Sequence, residues 1–431
     1  MRRRSSGMFL VVAGIVFCAV GLANSGSEEE RGSKPHPEDI PAARTISDPY
    51  SALNGIAVDP ENDAVIASDP NRKSLLFYDR TRGTSENSQT RPVRQIIGPA
   101  TYIGMVASVV VDSQRQEVFT ANNDIEDTVV VMPYAAKGNA APRRVLSVPH
   151  QAWGLALSKS TDELAVTAEI FNAVVFYRRE AKGVEAPVRV LRGSKTRLAD
   201  PHGIYWDDAN AEIGVASHGN FRGVIHNAGA GCAPGPVPAK SEAVKSETAK
   251  SESSKSESSK SELSKSESPK SEAADEGGEF RPPSIAIFSA KAKDDQSPLR
   301  IIEGDATKLD WPMGIAEDSV HNTIVVANNG DNSILIFDRQ RGGNVVPIRV
   351  IRGGRTGIDR PMGLAVDAKN GEIWISNYGN HTALAFDSAA DGNIAPKRTL
   401  RSAPAGTTAP GFGNPMALAY DTNRSQILVP N

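Results

Sequence analysis

Seven short runs open on Gly or another small residue and place the sequence's chemistry-bearing positions: Gly55 to Asp59, Ser108 to Asp112, Gly154 to Ser158, Gly203 to Asp207, Gly314 to Asp318, Gly363 to Asp367 and Ala417 to Asp421. The residue ahead of each run varies: Asn54, Ala107, Trp153, His202, Met313, Met362 and Met416. Gathered around one opening, these make an apolar rim with one indole and one imidazole, suited to an apolar or mixed small ligand or a protein loop. The plainer reading is that Met and Trp plug the opening as core.

A second column lies further along each unit: Asp69, Asn122, Ala168, Ser217, Asn328, Asn377 and Asn431. Oxygens converging from several units would suit Ca²⁺, which takes six to eight hard oxygen ligands. Asn and Asp also favour turns for local reasons, and that reading competes. The Asp that closes most of the seven runs is read as structural, because Asp at a strand-to-turn position accepts local backbone hydrogen bonds. No Gly-x-Ser-x-Gly, His-Glu-x-x-His or phosphate-binding glycine loop is present.

The elements that must position these residues follow from the spacing. Successive runs start about 50 residues apart, and the step from Gly203 to Gly314 is about twice that, so one unit carries an insertion. Each unit adds three further apolar runs separated by turn residues, as in Glu372 to Ser376, Ser333 to Phe337 and Pro347 to Ile351. That is the pattern of a four-stranded antiparallel meander. The outermost strand carries arginine at Arg44, Arg94, Arg144, Arg189, Arg300, Arg349 and Arg398, read as a charge that keeps an edge from pairing.

Arg44 precedes the first complete unit and the chain ends at Asn431 after two strands of a seventh. The expected fold is therefore all-β, a β-propeller over 41–431 with seven blades, closed by an N-terminal outer strand and C-terminal inner strands. Six complete blades, with one terminus packed elsewhere, is the alternative.

Around these units lie three other segments. Arg2, Arg3 and Arg4 precede an apolar run from Met8 to Ala23, so 1–23 reads as a signal peptide cleaved after Ala23, with 24–40 as a polar linker. Export follows as the expectation: secreted, periplasmic or cell surface, with no membrane span after cleavage. Cys18 and Cys232 are the only cysteines, so the cleaved chain forms no internal disulfide. The insertion, 222–283, carries Lys-Ser-Glu pentads over 240–274 and is nearly free of large apolar groups. It is expected to be disordered. The formal net charge of −3 excludes the basic field that nucleic-acid binding needs.

The stretches Pro312 to Phe337 and Pro361 to Phe386 carry Pro-x-Gly-Ile-Ala-x-Asp, Glu-Ile-x-Val-x-Asn and Asn-Ser-Ile-x-x-Phe in succession, with variations. In this the chain resembles the secreted bacterial β-propellers of the NHL and YVTN type. The resemblance implies a repeat scaffold, and on related propellers it extends to lactonases and lyases. Pro201 to Asp207 followed by Ser217 to Gly219 is similar to the zinc-histidine blade of peptide-amidating lyases, which implies His202 and His218 as ligands. Zinc requires at least three protein ligands, and Met313, Met362 and Met416 stand where matching histidines would be.

The expected function is a non-catalytic, monomeric propeller that binds a ligand or protein on its loop face, with no required cofactor. The alternative is a metal-dependent lyase or lactonase, with Zn²⁺ or Ca²⁺ at the channel mouth.

Overall fold

A computed structural model describes residues 15–19, 44–45, 49–82, 89–123, 126–221, 279–409, 419–421 and 426–430. The expected linker 24–40, most of the expected leader, the Lys-Ser-Glu pentads, Met416 and Asn431 lie outside the described residues.

Six four-stranded antiparallel blades form the propeller, each in simple sequence order from inner to outer strand. Their inner strands are Ile56–Asp59, Met105–Asp112, Ala152–Leu157, Pro201–Asp207, Pro312–Asp318 and Pro361–Asp367. Each packs against the next, and the sixth packs directly against the first. The ring is thus complete without the terminal segments, so the expected count of seven is corrected to six.

The glycine opening the inner strand explains how the ring closes. A Cβ at Gly154 would lie 2.3 Å from the His202 carbonyl oxygen, at Gly203 2.2 Å from that of Met313, and at Gly314 2.7 Å from that of Met362. At Gly363 it would lie 2.7 Å from the carbonyl oxygen of Asn54, which belongs to the first blade. Glycine recurs there because neighbouring backbones meet without room for a side chain.

Apolar clusters fill every blade boundary. The one across the closure joins Leu53, Ile56, Leu76 and Tyr78 to Trp374, Ala385 and Leu400. Trp374 is fully buried in it. Outside this core, at five of the six blade junctions the loop before an outer strand makes a parallel bridge to the outer strand of the preceding blade, as in Ile96 with Gly138 and Ile351 with Gly392. At the closure the same tie runs from Thr90 N–H to the Arg401 carbonyl at 2.7 Å.

The Gly-Asn pairs in those loops do more than turn the chain. Asn139, Asn344 and Asn393 each accept a hydrogen bond from a backbone N–H of the preceding blade, at Ala100, Ala306 and Arg355. They are caps between blades.

The arginine column also acts by pairing. Arg144, Arg189, Arg300 and Arg398 bind Glu117, Glu163, Glu212 and Glu372, each opening the second strand of the same blade. Where that glutamate is absent in the first blade, Arg94 instead lies over the Phe77 ring at 3.2 Å. Three further buried arginines, one residue after the third strand, cross to a neighbouring blade. Arg80 reaches Asp367 and Glu372, Arg179 reaches Asp112, and Arg339 reaches Asp207 and Glu212.

The terminal half-units form a separate four-stranded sheet. In it Ile15–Ala19 lies between Arg44–Thr45 and Gln426–Pro430, and Ala419–Asp421 completes the order. The segment read as the leader core therefore takes the place of the third strand that the seventh repeat lacks. Among the described residues, no helix is long and apolar enough to cross a membrane.

The insertion falls between the second and third strands of the fourth blade, Glu212–Ser217 and Ser284–Ser289. Its base is a short ribbon in which Asn220–Phe221 pairs with Glu279–Phe280. It leaves the ring two residues after His218.

Candidate functional site

The six inner strands surround a central cavity of about 300 Å³ lined by glycine, alanine and branched aliphatic residues, with Ser108, Trp153, Tyr205, Trp206, Met313 and Met362 also in its wall. At one end stand the residues that precede the glycines. Met313 and Met362 are buried there with Ala52, Tyr378 and Ala409, and Trp153 packs against them. Asn54 is buried and donates to the Val106 carbonyl at 3.2 Å, while its own carbonyl accepts from Gly363 N–H and Ser376 Oγ. Both methionines are buried at this end of the channel.

The Asp and Asn column at the ends of the second strands is engaged in local hydrogen bonds. Asn122, Asn328 and Asn377 each accept from the loop ahead of their own blade's inner strand, at Gly104, Asp310 and Asp359, and each donates back to that same loop. Asp69 accepts from Ala52 N–H and Arg72 N–H, and burial raises its carboxyl to about 6. These side chains hold the loops of single blades.

One sector of the mouth is different. His202 leads the inner strand of the fourth blade and His218 follows its second strand, and the two rings stack with centroids 3.5 Å apart. Trp153 of the third blade lies 4.7 Å from His202, and Trp311 of the fifth lies 4.9 Å from His218. Four rings therefore run in series across three blades.

Trp311 holds φ of 50°, a left-handed conformation costly for a bulky residue. That backbone aims its indole back over His218 while leaving it 49% exposed. The matching positions Gln151, Asp200 and Arg360 are left-handed as well. Asp bears this conformation more readily than Trp or Arg.

Asp200 completes the cluster. Its Oδ1 lies 3.6 Å from His202 Nδ1 and its Oδ2 3.6 Å from His218 Nδ1. Asn172 accepts from its backbone N–H at 3.0 Å, and Asn220 donates to its Oδ2 at 3.1 Å. On the other side, His202 Nε2 lies 3.6 Å from Glu169 Oε1, and His218 Nε2 lies 2.9 Å from Met313 Sδ.

Burial pushes the His202 imidazole down to about 3, with His218 adding to the shift and Asp200 opposing it. Burial works to raise the Asp200 carboxyl, but its hydrogen bond with His218 and the charge of both imidazoles hold it below the usual range. It stays ionised.

Of the residues expected at the mouth, the structure brings together His202, His218, Trp153 and Met313. Met362 packs in the same buried cluster as Met313 and Trp153, whereas Asn54 bonds to the blades on either side of the first. Asp200 and Trp311 were not anticipated. Asp200 sits immediately before the Pro201-His202 pair, and Trp311 immediately before Pro312, so position relative to the motif was their signal.

No protein-family model matches the sequence. No curated protein matches it either. Among solved structures, hydrazine synthase of Kuenenia stuttgartiensis is similar, with 13% identity over 80% of this chain and 79% of that one, at a TM-score of 0.48. Such a likeness says nothing about activity.

Proposed function

We propose that this protein is an exported, non-catalytic propeller of the NHL and YVTN type that binds its ligand on the loop face, over the rings of Trp153, His202, His218 and Trp311. The observation that carries this reading is Trp311: a half-exposed indole held in a strained backbone conformation beside a buried ring stack. Exposed aromatic anchors beside packed rings are the usual currency of recognition surfaces. Carboxylates, a backbone carbonyl, a thioether and indoles surround the two histidines.

A photo-crosslinking phenylalanine analogue at position 311, expressed in the protein's own host, captures a discrete partner. The same probe at Val320, exposed beyond the far end of that inner strand, does not. Equal adducts at both positions, or none at 311, would sink the binding reading. A metal-dependent lyase or lactonase is the second reading, supported by one observation: ligand atoms of Asp200, His202 and His218 lie within 4.8 Å of one another.

A further inference from the structure

In the column that ends the second strands, one residue lacks the donor that its place uses elsewhere. Asn122, Asn328 and Asn377 accept from a loop N–H through Oδ1. Through Nδ2 they donate to the carbonyl twenty residues earlier, that of Tyr102, Lys308 and Gly357. In the first blade the same place is held by Asp69. Its Oδ1 accepts from Ala52 N–H and Arg72 N–H, each at 3.2 Å. Its Oδ2, the counterpart of the donating amide, is buried and makes no hydrogen bond among the described residues. An ionised carboxylate only accepts, and protonation supplies the missing donor.

The loop that Asp69 holds lies across the closure of the ring. The Ser51 carbonyl lies 2.7 Å from His381 Nδ1 and accepts from Ser402 Oγ at 2.5 Å, both in the sixth blade. Ala52 is buried with Met313 and Met362 at the mouth. Asn54 bonds to the second blade and to the sixth.

We propose that Asp69 is a proton-operated latch on the mouth. Protonated, it fastens residues 51–54 across the seam between the sixth and first blades. Ionised, it loosens that sector.

The surroundings favour the protonated form. Burial is the dominant influence on the Asp69 carboxyl, and the Ser51 side chain, the two N–H groups and the charge of Arg72 oppose it without overcoming it. Lys73, next to Arg72, pairs with Glu126 of the second blade at 3.0 Å. Tyr78 on the third strand is a buried phenol, and burial and the charge of Asp69 both make it hold its proton more tightly. Tyr50 and His381 meet edge to face beside the seam, with centroids 6.2 Å apart. The inner strand of the second blade, Met105–Asp112, packs against the strand of Asp69 and has its one ionisable side chain at the end away from the mouth.

The sign of the pH dependence follows. The carboxyl is raised from 3.8 to about 6, so between those values the folded chain holds a proton that the unfolded chain has released. The latch therefore contributes fully below about pH 4, and its contribution is gone once the pH has risen past about 6.

The latch is independent of what binds at Trp311. The test compares full-length wild type with D69N, which carries the donor at every pH, by urea denaturation. At pH 8 the unfolding equilibrium of D69N lies about 100-fold further toward the folded state, since a rise from 3.8 to about 6 is two powers of ten. By pH 4.5 the gap narrows to less than about 10-fold. Hydrogen exchange on wild type needs no variant. Corrected for intrinsic rates, protection of Ala52 N–H falls at least about tenfold from pH 5 to pH 8, whereas that of Gly104 N–H, held by Asn122, does not. A D69N chain no more stable than wild type at pH 8, a gap that does not change with pH, or equal Ala52 protection at both pH values would each overturn the proposal.

Discussion

Gly363→Ala lowers the stability of the folded protein by about 3 kcal/mol or more. The new methyl group would lie 2.7 Å from the Asn54 carbonyl oxygen, 2.8 Å from Ile56 N and 2.9 Å from Ser376 Oγ. The first two are backbone atoms of the first blade and cannot swing aside. Relief requires the blades to part at the closure, which would also break the Gly363 N–H bond to Asn54. Gly354→Ala is the control, because nothing lies within 4 Å of a Cβ there. It is neutral or slightly stabilising, since it removes freedom from the unfolded chain. Urea denaturation of the two variants beside wild type reads the difference directly.

Arg80→Ala is expected to cost about 3 kcal/mol, at the low end of the range for breaking a buried ion pair. The guanidinium crosses from the first blade to Glu372 at 3.2 Å and Asp367 at 3.6 Å, and both carboxylates are buried. Asp367 also accepts from Asn370, and Glu372 keeps Arg398 and Lys397, which holds the loss below the top of that range. The nearby Arg82 pairs with Asp79 while 73% exposed, and Arg82→Ala shifts stability by no more than about 0.5 kcal/mol. Thermal melts of the two variants separate a closure clamp from an ordinary surface charge. Equal effects would mean that Arg80 does not bridge the blades.

Both predictions rest on features that the sequence displayed without their meaning. The recurrent glycine was visible as a motif, but the carbonyl it accommodates belongs to the next unit, about 50 residues away or more, so only the folded ring explains it. The arginine column was visible too. Its partners, such as Glu117 for Arg144, stand at the start of another strand, and strand pairing rather than sequence proximity brings them together. Strand identity and order were legible because alternating apolar runs and turn residues encode them locally.

The blade count was not legible, for a physical reason. Ala417 to Asp421 and Arg44 have the local pattern of inner and outer strands, yet whether such strands enter a ring depends on the gap between the first and last complete blades. Here the contact of Gly363 with Asn54 leaves none. The site was half legible in the same way. His202 and His218 share a blade and stood out by residue type, whereas Asp200 joins them through the turn preceding the strand, and Trp311 arrives from the neighbouring blade across the insertion.

Everything at the mouth depends on six units closing on themselves. The most direct test is a chain trimmed to 49–409, lacking both terminal segments, whose thermal unfolding is compared with that of the full chain. The predicted result is one cooperative transition with an unchanged midpoint, and a Gly363→Ala penalty as large as in the full chain. Loss of the folded state on trimming would show that the terminal strands complete the ring, and would contradict six-blade closure.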